Sequence, residues 1–236
     1  MSMPFYVAPE QVMKDRADFA RKNIARGRPL VALSCATGVV LCAENASNRQ
    51  RKISELYDRI AFGGVGRYNE FDSLRIAGVR AADLKGYSYS REDVDARSLA
   101  NQYAGILGNI FTHEMKPMEV EILVAEVGAS AADDQLFHIL YDGTPTDEMG
   151  YAVLGGEPEA IAERVKAAHD PAADLATTVQ LAVSALGGPD RRIPASDLEV
   201  AILERTAERR AFRRIEGAEL EGLVPPEPPQ ADVTPE

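Results

Sequence analysis

Leu30–Cys35 (LVALSC) and Val39–Ala43 (VVLCA), separated only by Ala36-Thr37-Gly38, decide how this chain folds. Both runs are short, rich in β-formers and apolar at nearly every position, and Thr37-Gly38 is a turn pair, so they read as a hairpin. Lys52–Leu56 (KISEL) and Ile60–Val65 (IAFGGV) repeat the pattern around a turn near Tyr57-Asp58. Upstream, Pro9–Arg26 reads as a helix. Pro9 suits its first turn and Glu10 its positive end, with Met13, Ala17, Ala20 and Ile24 on one face. That stripe is narrow and made mostly of small residues. One modest seam is therefore buried, and much of the helix is left exposed or for a neighbouring subunit to cover.

Downstream, helices are expected over about 67–84 and 94–116, the second stopped by Pro117. Met118–Val127 alternates as a strand, with further strands at Leu136–Tyr141 and Tyr151–Leu154, ended by Asp142-Gly143 and Gly155-Gly156. Helices follow at Ala160–Ala168 and Leu175–Leu186, the latter broken by Gly187-Gly188-Pro189. Leu198–Leu203 and Ala211–Ile215 close the chain as strands. The order is then helix, four strands, two helices, three strands, two helices, two strands. Hairpin-spaced strands imply antiparallel sheets, and paired helices imply two outer layers. The expected class is α+β, a four-layer α-β-β-α sandwich with two antiparallel sheets.

Composition bounds the function. The 236 residues carry a net charge of -11, which disfavours non-specific binding to nucleic acid. No run approaches the ~20 apolar residues of a membrane span, and the start lacks a signal-peptide layout. Cys35 and Cys42 are the only cysteines, too few for a disulfide framework, so the chain reads as cytoplasmic. Basic residues crowd Lys14–Arg28, whereas Glu121–Asp170 is acidic apart from Arg164 and Lys166. Opposite signs on different segments suit self-association. From Glu216 onward there are six acids, five prolines and no base, and residues 224–236 are expected to be a disordered tail.

Chemistry is sparse. His113-Glu114 begins like a zinc-protease helix, but Pro117 stands where the second histidine is needed, so no metal is expected. Gly63-Gly64-Val65-Gly66 lies between strand and helix without the spacing of a nucleotide loop, and reads as small residues in a tight turn. Ser34 and Cys35 sit in a strand, not on a nucleophile elbow, and both cysteines read as small core residues. No cofactor is implied.

Several stretches resemble one family. Glu44-Asn45-Ala46-Ser47, Arg51–Arg59 (RKISELYDR), Tyr68-Asn69-Glu70-Phe71, Gly86–Arg91 (GYSYSR) and Leu99–Tyr103 (LANQY) look like the proteasome α subunit of actinobacteria. Ile110-Phe111-Thr112, Val120–Val127 (VEILVAEV), Tyr141-Asp142-Gly143 and Arg209–Ile215 (RRAFRRI) continue the match, over about residues 6–223. The resemblance implies the sandwich of N-terminal-nucleophile hydrolases. It also implies a seven-membered ring of identical α subunits on a ring of β subunits, whose N-terminal threonines do the proteolysis. Where a β subunit would begin with its threonine, this chain has Arg28-Pro29 behind a whole helix, and its first threonine, Thr37, comes too late. A non-catalytic subunit is therefore expected. The runner-up is an active hydrolase processed to expose Ser34, Cys35 or Thr37.

By position in the family, Lys52 lines a pocket between adjacent α subunits and meets the C-terminal carboxylate of an activating ATPase. Met3, Pro4, Phe5, Tyr6, Val7 and Ala8 fall where the family keeps its pore gate. Tyr6-Val7-Ala8 departs from the Tyr-Asp-Arg motif of non-bacterial members. The implied organisation is a gate segment at 1–8, an α-type domain at 9–223, and a tail at 224–236. Protein substrates in transit complete the expected partners, with no nucleic acid and no membrane.

Overall fold

β1 (Leu30–Cys35) and β2 (Gly38–Glu44) form the expected hairpin, with Leu30 opposite Ala43 and Cys35 opposite Gly38. Every residue of β1 and β2 is buried. Such strands are covered on both faces, which is why they read as continuous apolar runs, not as an alternation. The structure is a computed structural model describing residues 8–47, 49–189 and 191–224. Its remaining strands are β3 (Ile53–Tyr57), β4 (Ile60–Gly66), β5 (Val120–Glu126), β6 (Gln135–Ile139), β7 (Pro145–Glu148), β8 (Tyr151–Leu154), β9 (Leu198–Glu204) and β10 (Phe212–Ile215). They form two five-stranded antiparallel sheets, ordered β10-β9-β2-β1-β8 and β3-β4-β5-β6-β7.

The helices are α1 (Pro9–Ile24), α2 (Tyr68–Ser88), α3 (Ala96–His113), α4 (Pro158–Ala168), α5 (Leu175–Gly187) and α6 (Gly217–Leu223). Three apolar clusters define the layers. Leu30, Ala32, Leu41, Leu123 and Ala125 pack between the sheets. Val31, Leu33 and Val40 meet α4 and α5 on one outer face, while Phe62, Ile122 and Val124 meet α2 and α3 on the other. This is the four-layer α-β-β-α sandwich of the sequence reading.

Two elements differ from that reading. β7 adds a fourth strand to the middle group; it is a mostly exposed Pro-Thr-Asp-Glu edge, the kind of polar, proline-blunted edge that hides from hydrophobic periodicity. α6 lies within the acidic segment because Leu220 buries against the cluster under α5. α3 begins later than expected because Asp95 caps it, accepting the Ser98 N–H at 2.7 Å. It ends at His113 because Glu114 is already extended.

α1 lies across one end of the sandwich. Ala20 and Ile24 enter the inter-sheet core and Ala17 packs beside them, while Arg16 Nη1 donates to the Phe111 carbonyl at 2.8 Å. Met13, expected on the buried seam, is exposed, as are Val12 and Phe19.

The glycine run Gly63-Gly64-Val65-Gly66 is packing hardware. Gly63 and Gly64 lie within β4, where a Cβ would press on Leu30 and Phe71 respectively. Only Gly66 makes the turn into α2, with φ +104° and a Cβ position blocked by the Glu119 carbonyl. Gly78 in α2 faces Tyr103, whose buried hydroxyl has no partner among the described residues. Gly78→Ala places a methyl into Tyr103 Oη. Overpacking of about 1–3 kcal/mol then outweighs the ~1 kcal/mol gain in helix propensity, and the melting temperature should fall. Tyr103→Phe in that background should recover part of the loss; a Gly78→Ala chain that melts higher than the parent would contradict the tight contact.

Candidate functional site

At the end of the sandwich beside α1, four chain segments converge. Arg28 lies in the connection from α1 to β1, Glu44 ends β2, Lys52 precedes β3, and Glu199 sits near the start of β9. Glu199 is almost fully buried and organises the group. It accepts the backbone N–H groups of Lys52 at 2.8 Å and Ile53 at 3.2 Å, Asn45 Nδ2 at 2.8 Å, and Arg214 Nη1 at 2.9 Å. A carboxylate with four donors is well satisfied despite its burial. Asn45 completes the loop: its Nδ2 also reaches the Gln50 carbonyl at 2.7 Å, and its Oδ1 accepts the Ser47 N–H at 3.0 Å. Glu-Asn-Ala-Ser is thus a turn built to present the residues that follow.

Glu44 is the second buried carboxylate. Arg191 grips both of its oxygens at 2.7 Å, and Arg28 Nη1 adds a contact at 2.9 Å. The paired bonds from Arg191 hold the Glu44 carboxyl below the usual carboxylate range. Lys52 stands above both acids, half-buried, with Nζ donating to the Arg28 carbonyl at 2.5 Å. Burial lowers its pKa to about 8, with Arg28 adding repulsion and Glu199 and Glu44 only partly compensating. Four cations, Arg28, Lys52, Arg191 and Arg214, therefore share two carboxylates. Counted over these four cations and two carboxylates, the cluster carries surplus positive charge.

Sequence reasoning named Lys52 as a candidate and missed its surroundings. A lone Glu199 inside the apolar run Leu198–Leu203 was the available signal. Of the expected gate residues, Met3, Pro4, Phe5, Tyr6 and Val7 lie outside the described residues. Ala8 is exposed at the N-cap of α1, its carbonyl accepting the N–H groups of Gln11 and Val12 at 2.9 and 3.2 Å.

The candidate nucleophiles are held in structural roles. Ser34 lies within β1 between β2 and β8, its hydroxyl unpartnered among the described residues, while His169 Nε2 meets its carbonyl oxygen at 2.9 Å. Cys35 Sγ lies 3.2 Å from Thr37 Oγ1. Burial, aided by Glu199, pushes the Cys42 thiol up to about 12, so it stays protonated and inert. His113 caps its own helix through Asn109 O, and among the described residues no group of three His, Cys, Asp or Glu could hold a metal.

A family model described as "Proteasome subunit" matches residues 24–202. A protein named "Proteasome subunit alpha" from Acidimicrobium ferrooxidans is 60% identical, the match covering 97% of this chain and 98% of that one. Proteins of the same name from Sanguibacter keddieii and a Nocardioides species are each 55% identical over 95% of this chain and 90% of theirs. No helix among the described residues is long and apolar enough to cross a membrane. With these matches spanning nearly the whole sandwich, the chain belongs to the proteasome subunit family, as a subunit of the α type.

Proposed function

We propose that this chain is a cytoplasmic ring subunit of the 20S core that supplies no catalytic group. Residues 9–223 form the α-type domain, which packs against its own copies in a seven-membered ring and against catalytic β subunits. Residues 1–8 gate the entry of protein substrates, and Lys52 receives the C-terminal carboxylate of an ATPase activator.

One observation carries the docking role: the Lys52 ammonium stands at the rim of a cluster with four cations for two carboxylates. An arriving carboxylate gains a charge-assisted hydrogen bond there without displacing an existing acid. The non-catalytic reading rests on Arg28-Pro29 preceding β1 and on α1 lying over that end, where a threonine nucleophile would need a free terminal amine. Val12, Met13 and Phe19, apolar and exposed on α1, suit burial by a neighbouring copy.

The test is co-expression with the β subunit of the same genome, followed by sizing and peptidase assay. A particle the size of four stacked seven-membered rings, whose activity disappears when only the β threonine is replaced, is the expected result. Peptidase activity from this chain alone, or a mature mass shortened to Ser34, Cys35 or Thr37, would sink the reading. Removing residues 1–7 should raise peptide hydrolysis by the particle severalfold. Ala8 is retained because its carbonyl closes the first turn of α1. Equal rates in full and shortened particles would place the closed gate elsewhere.

A further inference from the structure

α1 buries Ala20 and Ile24 and leaves the opposite side of the helix uncovered. Val12, Asp15, Phe19 and Lys22 recur there at spacings of three and four, forming one stripe, and Arg26 continues it in the turn beyond Ile24. Val12 is 38% exposed and Phe19 44%. Lys22 and Arg26 are exposed and make no ion pair among the described residues. Asp15, the one acid of the stripe, already accepts from Gln11 Nε2 at 2.6 Å. The stripe is therefore apolar toward its start and cationic toward its end.

A groove of 390 Å³ beside the Lys52 cluster has the complementary character. It lies between the start of β9 and α6, and its walls are Leu198, Val200, Ile215 and Leu220, all from the apolar cluster beneath α5. Three carboxylates stand around it. Glu199 is bonded to Arg214 within the fold, and Glu216 meets Arg51 at 3.0 Å. Glu221 is exposed and has no ion pair among the described residues. Within one chain both patches stay open. α1 packs beside β4 and β5, with Arg16 reaching the Phe111 carbonyl, whereas the groove lies on β9 and β10 in the other sheet. Two different patches that cannot fill each other in one chain suit head-to-tail contact between copies, the kind that closes into a ring.

We propose that the α1 stripe of one copy docks in the β9–α6 groove of the next, with Phe19 against Leu198 and Leu220, and Lys22 and Arg26 facing Glu221. This rests on the ring reading above and deepens it by naming the two surfaces that meet. Covering the phenyl ring supplies the apolar contact. The exposed charges add little energy, but they select which groove and which orientation the helix accepts.

Cross-linking in particles co-expressed with β tests the contact. One α chain carries Lys22→Cys and a second, differently tagged, carries Glu221→Cys; the chain's own Cys35 and Cys42 are buried. A short bis-maleimide should join the two tags in fractions of full particle size, and neither cysteine chain alone should cross-link. Full-size active particles without that product would overturn this interface and leave the ring reading standing. Parent chains that form no such particle would overturn the ring reading, and the interface with it. Independently, Lys22→Glu combined with Arg26→Glu should lower the particle yield by about tenfold or more, since like charges then face each other. Adding Glu221→Lys should recover part of that yield, which a misfolded chain could not do. Undiminished assembly of the charge-reversed chain, or no recovery on adding Glu221→Lys, would overturn the pairing.

Discussion

Replacing Lys52 by alanine is expected to weaken activator docking by about 10- to 150-fold, the loss of one charge-assisted hydrogen bond of ~1.5–3 kcal/mol. The fold should survive, because Glu199 is bonded to the backbone N–H of residue 52 and not to its side chain. The reading also fixes a pH dependence. Burial lowers the Lys52 pKa to about 8, so the ammonium is present at neutral pH and is lost as pH rises through 8. At pH 9 only about a tenth of the sites remain charged before binding, and affinity for a carboxylate should fall accordingly. A bound carboxylate raises the lysine pKa, so binding takes up a proton in that range. Lys52→Arg keeps its charge throughout and should flatten the profile even if it docks less well. The measurement is binding of a fluorescent peptide with the activator's C-terminal sequence to assembled particles, between pH 7 and 9. Equal affinity for parent and Lys52→Ala particles would end the docking role. A parent profile parallel to that of Lys52→Arg would assign the titration to another group.

The same depressed pKa makes a statement about stability, with the opposite sign. A lysine that binds its proton less tightly when folded than when unfolded opposes folding while it is charged. That penalty is full below pH 8 and is relieved as pH rises toward the ordinary lysine value. An apolar replacement such as Lys52→Met should therefore leave the melting temperature unchanged or raise it.

Glu199→Ala should cost about 3–5 kcal/mol, the range for removing one partner from a buried charged pair. The methyl group leaves Arg214 without its carboxylate and strands the N–H groups of Lys52 and Ile53 along with Asn45 Nδ2. For a domain of this size that is a fall in melting temperature of roughly 10 °C, readable by circular dichroism of the purified chain. Glu199→Gln should lose less. Its amide oxygen can still accept from the backbone, but its amino group opposes a donor and the Arg214 pairing is weakened. The ranking parent, then Gln, then Ala is the expected result. An alanine variant melting within 2 °C of the parent, about the effect of half a kcal/mol, would show that Glu199 does not organise this end of the sandwich.

What could be read from the chain alone divides along a physical line. The hairpins of β1–β2 and β3–β4 were legible because a turn and two β-rich runs lie together within 14 residues in each case. The helices were legible through their period, and the layer order followed from pairs of helices flanking groups of strands. β7 was not, because a short polar edge strand exists only through its pairing with β6. α6 was not, because its one buried anchor, Leu220, gains meaning only against the cluster under α5. Lys52 was singled out by resemblance alone, and nothing local distinguishes it from any lysine that opens a strand. Its setting depends on Glu199 and, through Glu44, on Arg191, and each of those links joins residues 147 positions apart. Sequence alone therefore determined most of the elements and their order, because short-range periodicity and turn chemistry encode them, and the family through the resemblance of its quoted stretches. Only the tertiary structure decided which charges meet, since ion pairs and buried carboxylates are set by through-space distance, which local sequence patterns do not carry.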